Sequence, residues 1–198
     1  MQAEATADTL PVPHASGEPT AGKVGMWIFL VTDALSFGGL LIGYASLRSW
    51  SPTWPVPSSV LDIPLTALNT FVLICSSVSM VLAVSAAEAG DRKSVIRWLG
   101  ATVAGGLCFL SIQAYEYHHL ISGGLSLSSS LFGATFFTLT GFHGAHVASG
   151  VLYLSTLLFG VLAGKFVGHG DSHIEIAGLF WHFVDLIWIL IFTFVYLV

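Results

Sequence analysis

The chain has 198 residues, of which 55% are hydrophobic and only 9% carry a charge. A soluble domain needs about 25% charged residues to wet its surface, so most of this surface must contact hydrocarbon. The net charge of −5 gives no indication of a nucleic-acid partner. Cys75 and Cys108 each lie alone in an apolar run, which indicates neither a disulfide framework nor a zinc site.

Residues 1–22 are polar and rich in Ala, Thr, Pro and Gly. They have neither a basic start nor an apolar centre, so they do not resemble a secretory signal. We predict a flexible cytoplasmic tail at residues 1–22, followed by one transmembrane domain at residues 23–198.

Five apolar runs follow the tail, and each is long enough to cross a bilayer, which requires about 20 residues per helix. Segments rich in Pro, Ser, Gly or charge separate them. We therefore predict an all-α integral membrane bundle of five transmembrane helices. These are Val24–Leu47, Leu65–Ala87, Val95–Leu120, Leu131–Gly164 and Ile174–Val198.

The basic residues predict how the bundle is oriented. With the N-terminus inside, only Arg48 lies outside. The other five of the six Lys and Arg residues then lie inside: Lys23, Arg92, Lys93, Arg97 and Lys165. This asymmetry follows the positive-inside rule, so we predict that the N-terminus is inside and the C-terminus outside.

Asp33 lies about 14 Å along the first predicted helix, at about 1.5 Å per residue. A charge near the bilayer centre costs about 2.5–3.5 kcal/mol, so this residue needs an explanation. No Lys or Arg lies at that depth in the same helix, and we expect the carboxyl to be protonated. It either takes part in proton movement or lipid contact, or hydrogen-bonds to a neighbouring helix as a neutral acid.

Further polar residues recur three or seven positions apart in the later helices, which places each group on one helix face. They are Gln113, Glu116, His143, His146, Glu175, His182 and Asp185. We predict that they form a polar network inside the bundle. Imidazole and carboxylate also suit iron, copper or zinc, but the spacings of di-iron bundles and membrane desaturases are absent. We therefore expect interhelical hydrogen bonds and no metal in this chain.

One block of sequence in each predicted helix resembles subunit III of cytochrome c oxidase. The blocks are GMWIFL…D…F at Gly25–Phe37, LNT…SS at Leu68–Ser77, CFLSIQAYEY at Cys108–Tyr117, TGFHGAHVASG at Thr140–Gly150 and WHFVDLIWILIF at Trp181–Phe192. They occur in the order of the family and cover residues 23–198. The chain resembles the short five-helix form, and Asp33 stands where the family usually has glutamate. Subunit III of ubiquinol oxidases has a similar pattern.

The resemblance implies a non-catalytic subunit III of a proton-pumping haem–copper terminal oxidase, which reduces dioxygen to water with electrons from cytochrome c. Subunit III of a ubiquinol oxidase is the alternative. Haem and copper would belong to partner subunits, and the chain would pack mainly against subunit I, with subunit II in the same complex. Cytochrome c or quinol would act on that complex, in a bacterial inner membrane rather than a mitochondrial one.

The resemblance also implies roles for individual residues. Asp33 would be the family's buried carboxyl, which supports proton uptake. Phospholipid would be bound, with Trp27, Arg48 and Trp54 as lipid-contacting residues.

Two functions of other classes compete with this interpretation. A small transporter or proton channel could use Asp33 and Asp185 as a relay, although no inverted repeat is visible. An independent haem or metal enzyme could use His143, His146 and His182. Purification in mild detergent would distinguish a subunit of a larger complex from both.

Overall fold

The computed structural model describes residues 20–165 and 172–198. In these residues the chain forms α1 (Ala21–Trp50), α2 (Pro57–Val60), α3 (Ile63–Glu88), α4 (Arg92–Ser122), α5 (Leu131–Leu162) and α6 (His173–Ile191). A π-helix, Phe192–Leu197, continues α6. All of these helices except the short α2 are long and apolar enough to cross a membrane. This confirms the predicted all-helical architecture with five long apolar helices.

Polar caps extend three of the helices beyond the predicted apolar runs. Helix α1 begins three residues early, where the Thr20 hydroxyl accepts a hydrogen bond from the Lys23 amide. Asp62 and Asp91 cap α3 and α4 in the same way. Residues 1–19 of the predicted tail lie outside the described residues, and residues 21 and 22 already belong to α1.

Helix α1 runs parallel to α6 along one side of the bundle. Lys23 Nζ lies 2.7 Å from Glu175 Oε2 at one end, and the Arg48 guanidinium donates to the Val198 carbonyl at the other. Helices α3 and α4 form an antiparallel pair. Helix α6 packs against α1, α3 and α5 and is the most buried of the long helices.

The ring of Trp181 on α6 is the point where four helices meet. It is almost fully buried, and its indole N–H donates to the Ser76 hydroxyl on α3 over 3.1 Å. Two glycines make room for the ring. A Cβ added to Gly106 on α4 would lie 2.6 Å from Trp181 Cη2, and one added to Gly150 on α5 would lie 3.0 Å from the same ring. Small residues therefore let the helices pack closely, as expected where lipid surrounds the bundle.

Asp91 caps α4 at the turn that joins α3 to α4. Asp91 Oδ1 accepts from the amides of Lys93 and Ser94, and Oδ2 accepts from the Ser94 hydroxyl over 2.6 Å. The hydrogen bond from that hydroxyl, followed by the one from the Ser94 amide, lowers the pKa of Asp91 below its ordinary 3.8. A lowered folded-state pKa means that the cap stabilises the fold at neutral pH, and that this stabilisation is lost as the pH falls below 3.8 towards the folded-state pKa.

We therefore predict that the Asp91→Asn variant loses less stability than the wild type as the pH falls. An Asn side chain can still cap α4 but does not titrate. The difference in Tm between the wild type and this variant, measured in detergent, should shrink from neutral pH to about pH 3.5. A difference that stays constant over that range would contradict the prediction.

Candidate functional site in the bundle interior

Asp33 lies on the buried face of α1, where 8% of the residue is exposed. Its Oδ1 atom lies 3.3 Å from Nε2 of His146 on α5. This partner comes from another helix and is neither a Lys nor an Arg. The two residues are 113 positions apart, and no local spacing indicates that these faces of α1 and α5 meet.

A second contact orients the His146 ring. Its Nδ1 lies 2.8 Å from the carbonyl oxygen of Phe142. A carbonyl only accepts hydrogen bonds, so Nδ1 carries a hydrogen. One further proton then connects Asp33 and His146, bound either to the carboxyl or to Nε2, and both forms of the pair are neutral overall. The pair can therefore hold a proton inside the bundle without placing net charge there.

Glu116 on α4 is the centre of a second cluster and is also buried. Its Oε1 lies 3.1 Å from the Thr66 hydroxyl on α3. The Tyr196 hydroxyl, in the π-helix after α6, donates to Oε2 over 3.2 Å. The carboxyl thereby joins three helices through hydrogen bonds to neutral groups.

Two further clusters join neighbouring helices. The Gln113 amide on α4 donates to the Thr140 carbonyl on α5 over 3.1 Å. Between α3 and α6, the Ser77 hydroxyl lies 2.6 Å from His182 Nδ1, and the Asp185 carboxyl lies close to the same hydroxyl. The predicted polar residues are thus distributed over separate interhelical clusters rather than one continuous network.

Glu175 does not belong to this interior. Its side chain is 41% exposed and forms the ion pair with Lys23 at the end of the bundle. It lies in the first turn of α6, where the helix dipole favours a negative charge and where the parallel α1 presents a lysine. Its spacing from His182 predicted a place in the interior, whereas the ion pair with Lys23 lies at the end of the bundle.

The partners of these residues were missed by the sequence analysis. They include Thr66, Ser77 and Tyr196. One signal was available, because the polar residues of α3 recur at helical spacing: Thr66, Asn69, Thr70, Ser76, Ser77 and Ser79. Tyr196 gave no such signal, since it stands alone in an apolar run.

His143 is a different case from the other polar residues. It is fully buried, and neither ring nitrogen has a hydrogen-bond partner among the described residues. Its ring stacks on Trp188, with centroids 4.8 Å apart, and the edges of aromatic rings from α1 and α4 surround it. A buried polar atom without a partner costs about 1–3 kcal/mol, so this arrangement needs a physical explanation.

The residues expected to contact lipid lie in three different settings. Trp27 is 56% exposed and lines an apolar groove of about 370 Å³ between α1 and α6. Arg48 bonds within the chain, to Val198. Trp54 is half-buried against Tyr44 and Phe132 and lines a cavity of about 650 Å³ between two loops.

Within residues 20–165 and 172–198, no three His, Cys, Asp or Glu side chains come together as a metal-binding group. The three histidines considered as ligands have different surroundings. His146 contacts Asp33, His182 contacts Ser77, and His143 lies among aromatic rings. The arrangement can hold protons and join helices, and it does not provide a common ligand set.

Comparison with known proteins identifies the family. The family model described as cytochrome c oxidase subunit III matches residues 11–198. The chain is 35% identical to the cytochrome bo(3) ubiquinol oxidase subunit 3 of Pseudomonas aeruginosa, over 93% of this chain and 87% of that protein. It is 36% identical to the cytochrome c oxidase subunit 3 of Corynebacterium diphtheriae, over 93% and 91%. It is 37% identical to the probable cytochrome c oxidase subunit 3 of Mycobacterium bovis, over 93% and 92%.

These matches confirm the resemblance, and they extend over all five long helices. The relatives divide between oxidases named for cytochrome c and oxidases named for ubiquinol. The chain therefore belongs to the cytochrome c oxidase subunit III family and is subunit III of a haem–copper terminal oxidase.

Proposed function

We propose that this chain is the non-catalytic subunit III of a proton-pumping cytochrome c oxidase in a bacterial inner membrane. It packs against subunit I, stabilises it, and supports proton uptake, while haem and copper are bound by partner subunits. The family match over residues 11–198 carries the proposal. The hydrogen-bonded clusters support it, because they join neighbouring helices of the bundle.

The proposed orientation places the N-terminus in the cytoplasm. Lys23 and the α3–α4 turn, with Arg92 and Lys93, would lie on the cytoplasmic side, and Arg48 on the opposite side. The positive-inside rule supports this, because five of the six Lys and Arg residues would then lie on the cytoplasmic side. A cysteine introduced at residue 91 should react with membrane-impermeant reagents only from the cytoplasmic side.

Asp33 and His146 are the proposed proton-handling pair of this subunit. Asp33 is buried and His146 is partly buried, they come from different helices, and one shared proton keeps the pair neutral. The apolar groove beside Trp27 is the proposed place of a phospholipid acyl chain, since its walls are almost entirely aliphatic and aromatic. Trp54 and Arg48 would contact lipid near the opposite surface.

The proposed electron donor of the complex is cytochrome c, and the alternative is ubiquinol. The names of the relatives support either donor. The donor acts on partner subunits, so the test lies there. A copper-binding domain in the co-purified subunit II indicates cytochrome c, and its absence indicates quinol.

Purification of the native complex in mild detergent tests the proposed function. The chain should co-purify with subunits I and II in equal amounts, with all haem and copper bound by the partners. Two results would contradict it. One is an isolated chain that transports protons in vesicles, and the other is stoichiometric haem or metal bound by this chain alone.

We predict that Asp33→Asn leaves the complex assembled but makes its activity decline during turnover. The Asn amide can donate to His146 Nε2 in place of a protonated carboxyl, so the α1–α5 contact should persist. It cannot release a proton, so proton supply should fail gradually. Subunit III content and the time course of oxygen consumption are the measurements.

Asp33→Leu is the matched control, because it has a similar size and no hydrogen-bonding group. It leaves His146 Nε2 without its partner, so we expect less subunit III in the purified complex than with Asp33→Asn. Loss of the assembled complex in the Asn variant would refute the neutral-pair interpretation. Full and lasting activity in that variant would refute the proton-supply role.

A further inference from the structure

The surroundings of His143 contain more unpartnered polar atoms than the ring itself. Among the described residues, Asn69 Oδ1 and Asp185 Oδ1 are also buried and without a hydrogen-bond partner. Each of the three residues is at least nine-tenths buried. They come from α5, α3 and α6, so their unpartnered atoms are contributed by three different helices.

Contacts in the aromatic shell bring these residues to the same part of the bundle. Phe109 contacts the His143 ring, with centroids 5.8 Å apart, and its carbonyl accepts from the Asn69 amide over 3.3 Å. Trp188 stacks on His143 and donates to Thr70, the neighbour of Asn69, over 2.9 Å. Asp185 lies three residues before Trp188, on the same face of α6.

The chemistry of these atoms selects the ligand. Asn69 Oδ1 only accepts hydrogen bonds, a neutral imidazole has one donor and one acceptor, and a carboxyl oxygen can accept. A ligand must therefore both donate and accept, and it must be small enough for a closely packed interior. No third His, Cys, Asp or Glu completes a cation site within the described residues. Water has the required size and hydrogen-bonding capacity, since a buried water makes about three hydrogen bonds.

We propose that the bundle interior binds a small cluster of ordered water at His143, which bridges the imidazole to Asn69 Oδ1 and Asp185 Oδ1. At this site His143 binds water, a role that is separate from the Asp33–His146 pair and from contact with a partner subunit. It places exchangeable protons at the centre of the bundle, between α3, α5 and α6. Water binding at His143 depends neither on the electron donor of the complex nor on the proposed role of Asp33.

High-resolution cryo-electron microscopy of the intact oxidase complex tests the site directly. Density for at least one water should lie within hydrogen-bond distance of a His143 ring nitrogen and of one of the two oxygens. A map that resolves other buried waters but shows none here would overturn the proposal.

Hydrogen exchange provides a second test on the wild-type complex. With ¹⁵N-labelled histidine and tryptophan, the ring N–H of His143 should exchange with D₂O at least about tenfold faster than the indole N–H of Trp188, which bonds to Thr70. The two groups are buried in the same region, so local opening of the bundle should expose both, and the Trp188 rate serves as the reference for the His143 rate. Equal rates would contradict a water-bound imidazole.

The His143→Phe variant should change the Tm of the complex in opposite directions, depending on whether the site holds water or is dry. If water is bound, the variant removes its hydrogen bond to the imidazole and leaves the water and the Asn69 oxygen incompletely hydrogen-bonded, so the Tm of the complex should fall. If the site is dry, Phe removes an unsatisfied polar group, and an unchanged or raised Tm overturns the proposal. Should the variant fail to assemble, the exchange experiment on the wild type decides.

Discussion

Gly106→Ala is expected to destabilise the bundle by at least about 1–3 kcal/mol, the usual cost of adding atoms to a closely packed core. The new Cβ would lie 2.6 Å from Trp181 Cη2 and 2.6 Å from Val151 Cγ2. Trp181 cannot move away easily, because it is 1% exposed and its indole N–H bonds to Ser76. We expect a lower Tm of the purified complex and partial loss of subunit III during detergent washing.

Gly100→Ala is the matched control in the same helix. A Cβ at Gly100 meets no atom within 4 Å. Replacing a helical glycine by alanine gains up to about 1 kcal/mol of helix propensity. This variant should therefore be as stable as the wild type or more stable. The packing argument would be wrong if both variants lowered the Tm equally, or if neither did.

The existence of the five long helices could be predicted from the sequence because hydrocarbon imposes a simple rule. Each span must be apolar and about 20 residues long, and this chain has five such runs. The helix ends were less accurate. Hydropathy marks the part of a helix that lies in hydrocarbon, whereas Thr20, Asp62 and Asp91 decide where the backbone becomes helical.

The pairing between helices could not be predicted in the same way. Helical spacing places Asp33 and His146 each on one face, but it does not reveal that these faces meet. The same limit applies to Glu175. Helical spacing grouped it with His182 and Asp185, but the parallel packing of α1 brings Lys23 to it at the end of the bundle.

The chemistry of the membrane explains why the interior clusters are small and separate. Within hydrocarbon an unpaired polar side chain is costly, which favours hydrogen bonds to residues of the helices that face it. Asp33, Glu116 and His182 each contact a residue of another helix. Each contact therefore fixes how the helices that it joins are aligned along their length.

Glu116→Leu is expected to have a large effect because it removes the buried carboxyl that links α4 to Thr66 on α3 and to Tyr196 after α6. Thr66 and Tyr196 are each 1% exposed, and both contact the Glu116 carboxyl. The Thr66 hydroxyl keeps the Asp62 carbonyl as an acceptor, 2.9 Å away. The Tyr196 hydroxyl loses its carboxylate acceptor, and a buried hydroxyl left unsatisfied costs about 1–3 kcal/mol. We expect subunit III to be lost from the complex at normal purification temperatures.

Glu116→Gln separates hydrogen bonding from charge at this position. The Gln amide can donate to Thr66 Oγ1 while its oxygen accepts from Tyr196, so a structural role predicts near-normal assembly. Combining Tyr196→Phe with Glu116→Leu completes the test, because the double variant has no tyrosine hydroxyl that lacks an acceptor. It should be less destabilised than the sum of the two single variants. Additive losses in Tm would mean that the two side chains do not act as partners, and that the end of α6 is attached to α4 by apolar packing alone.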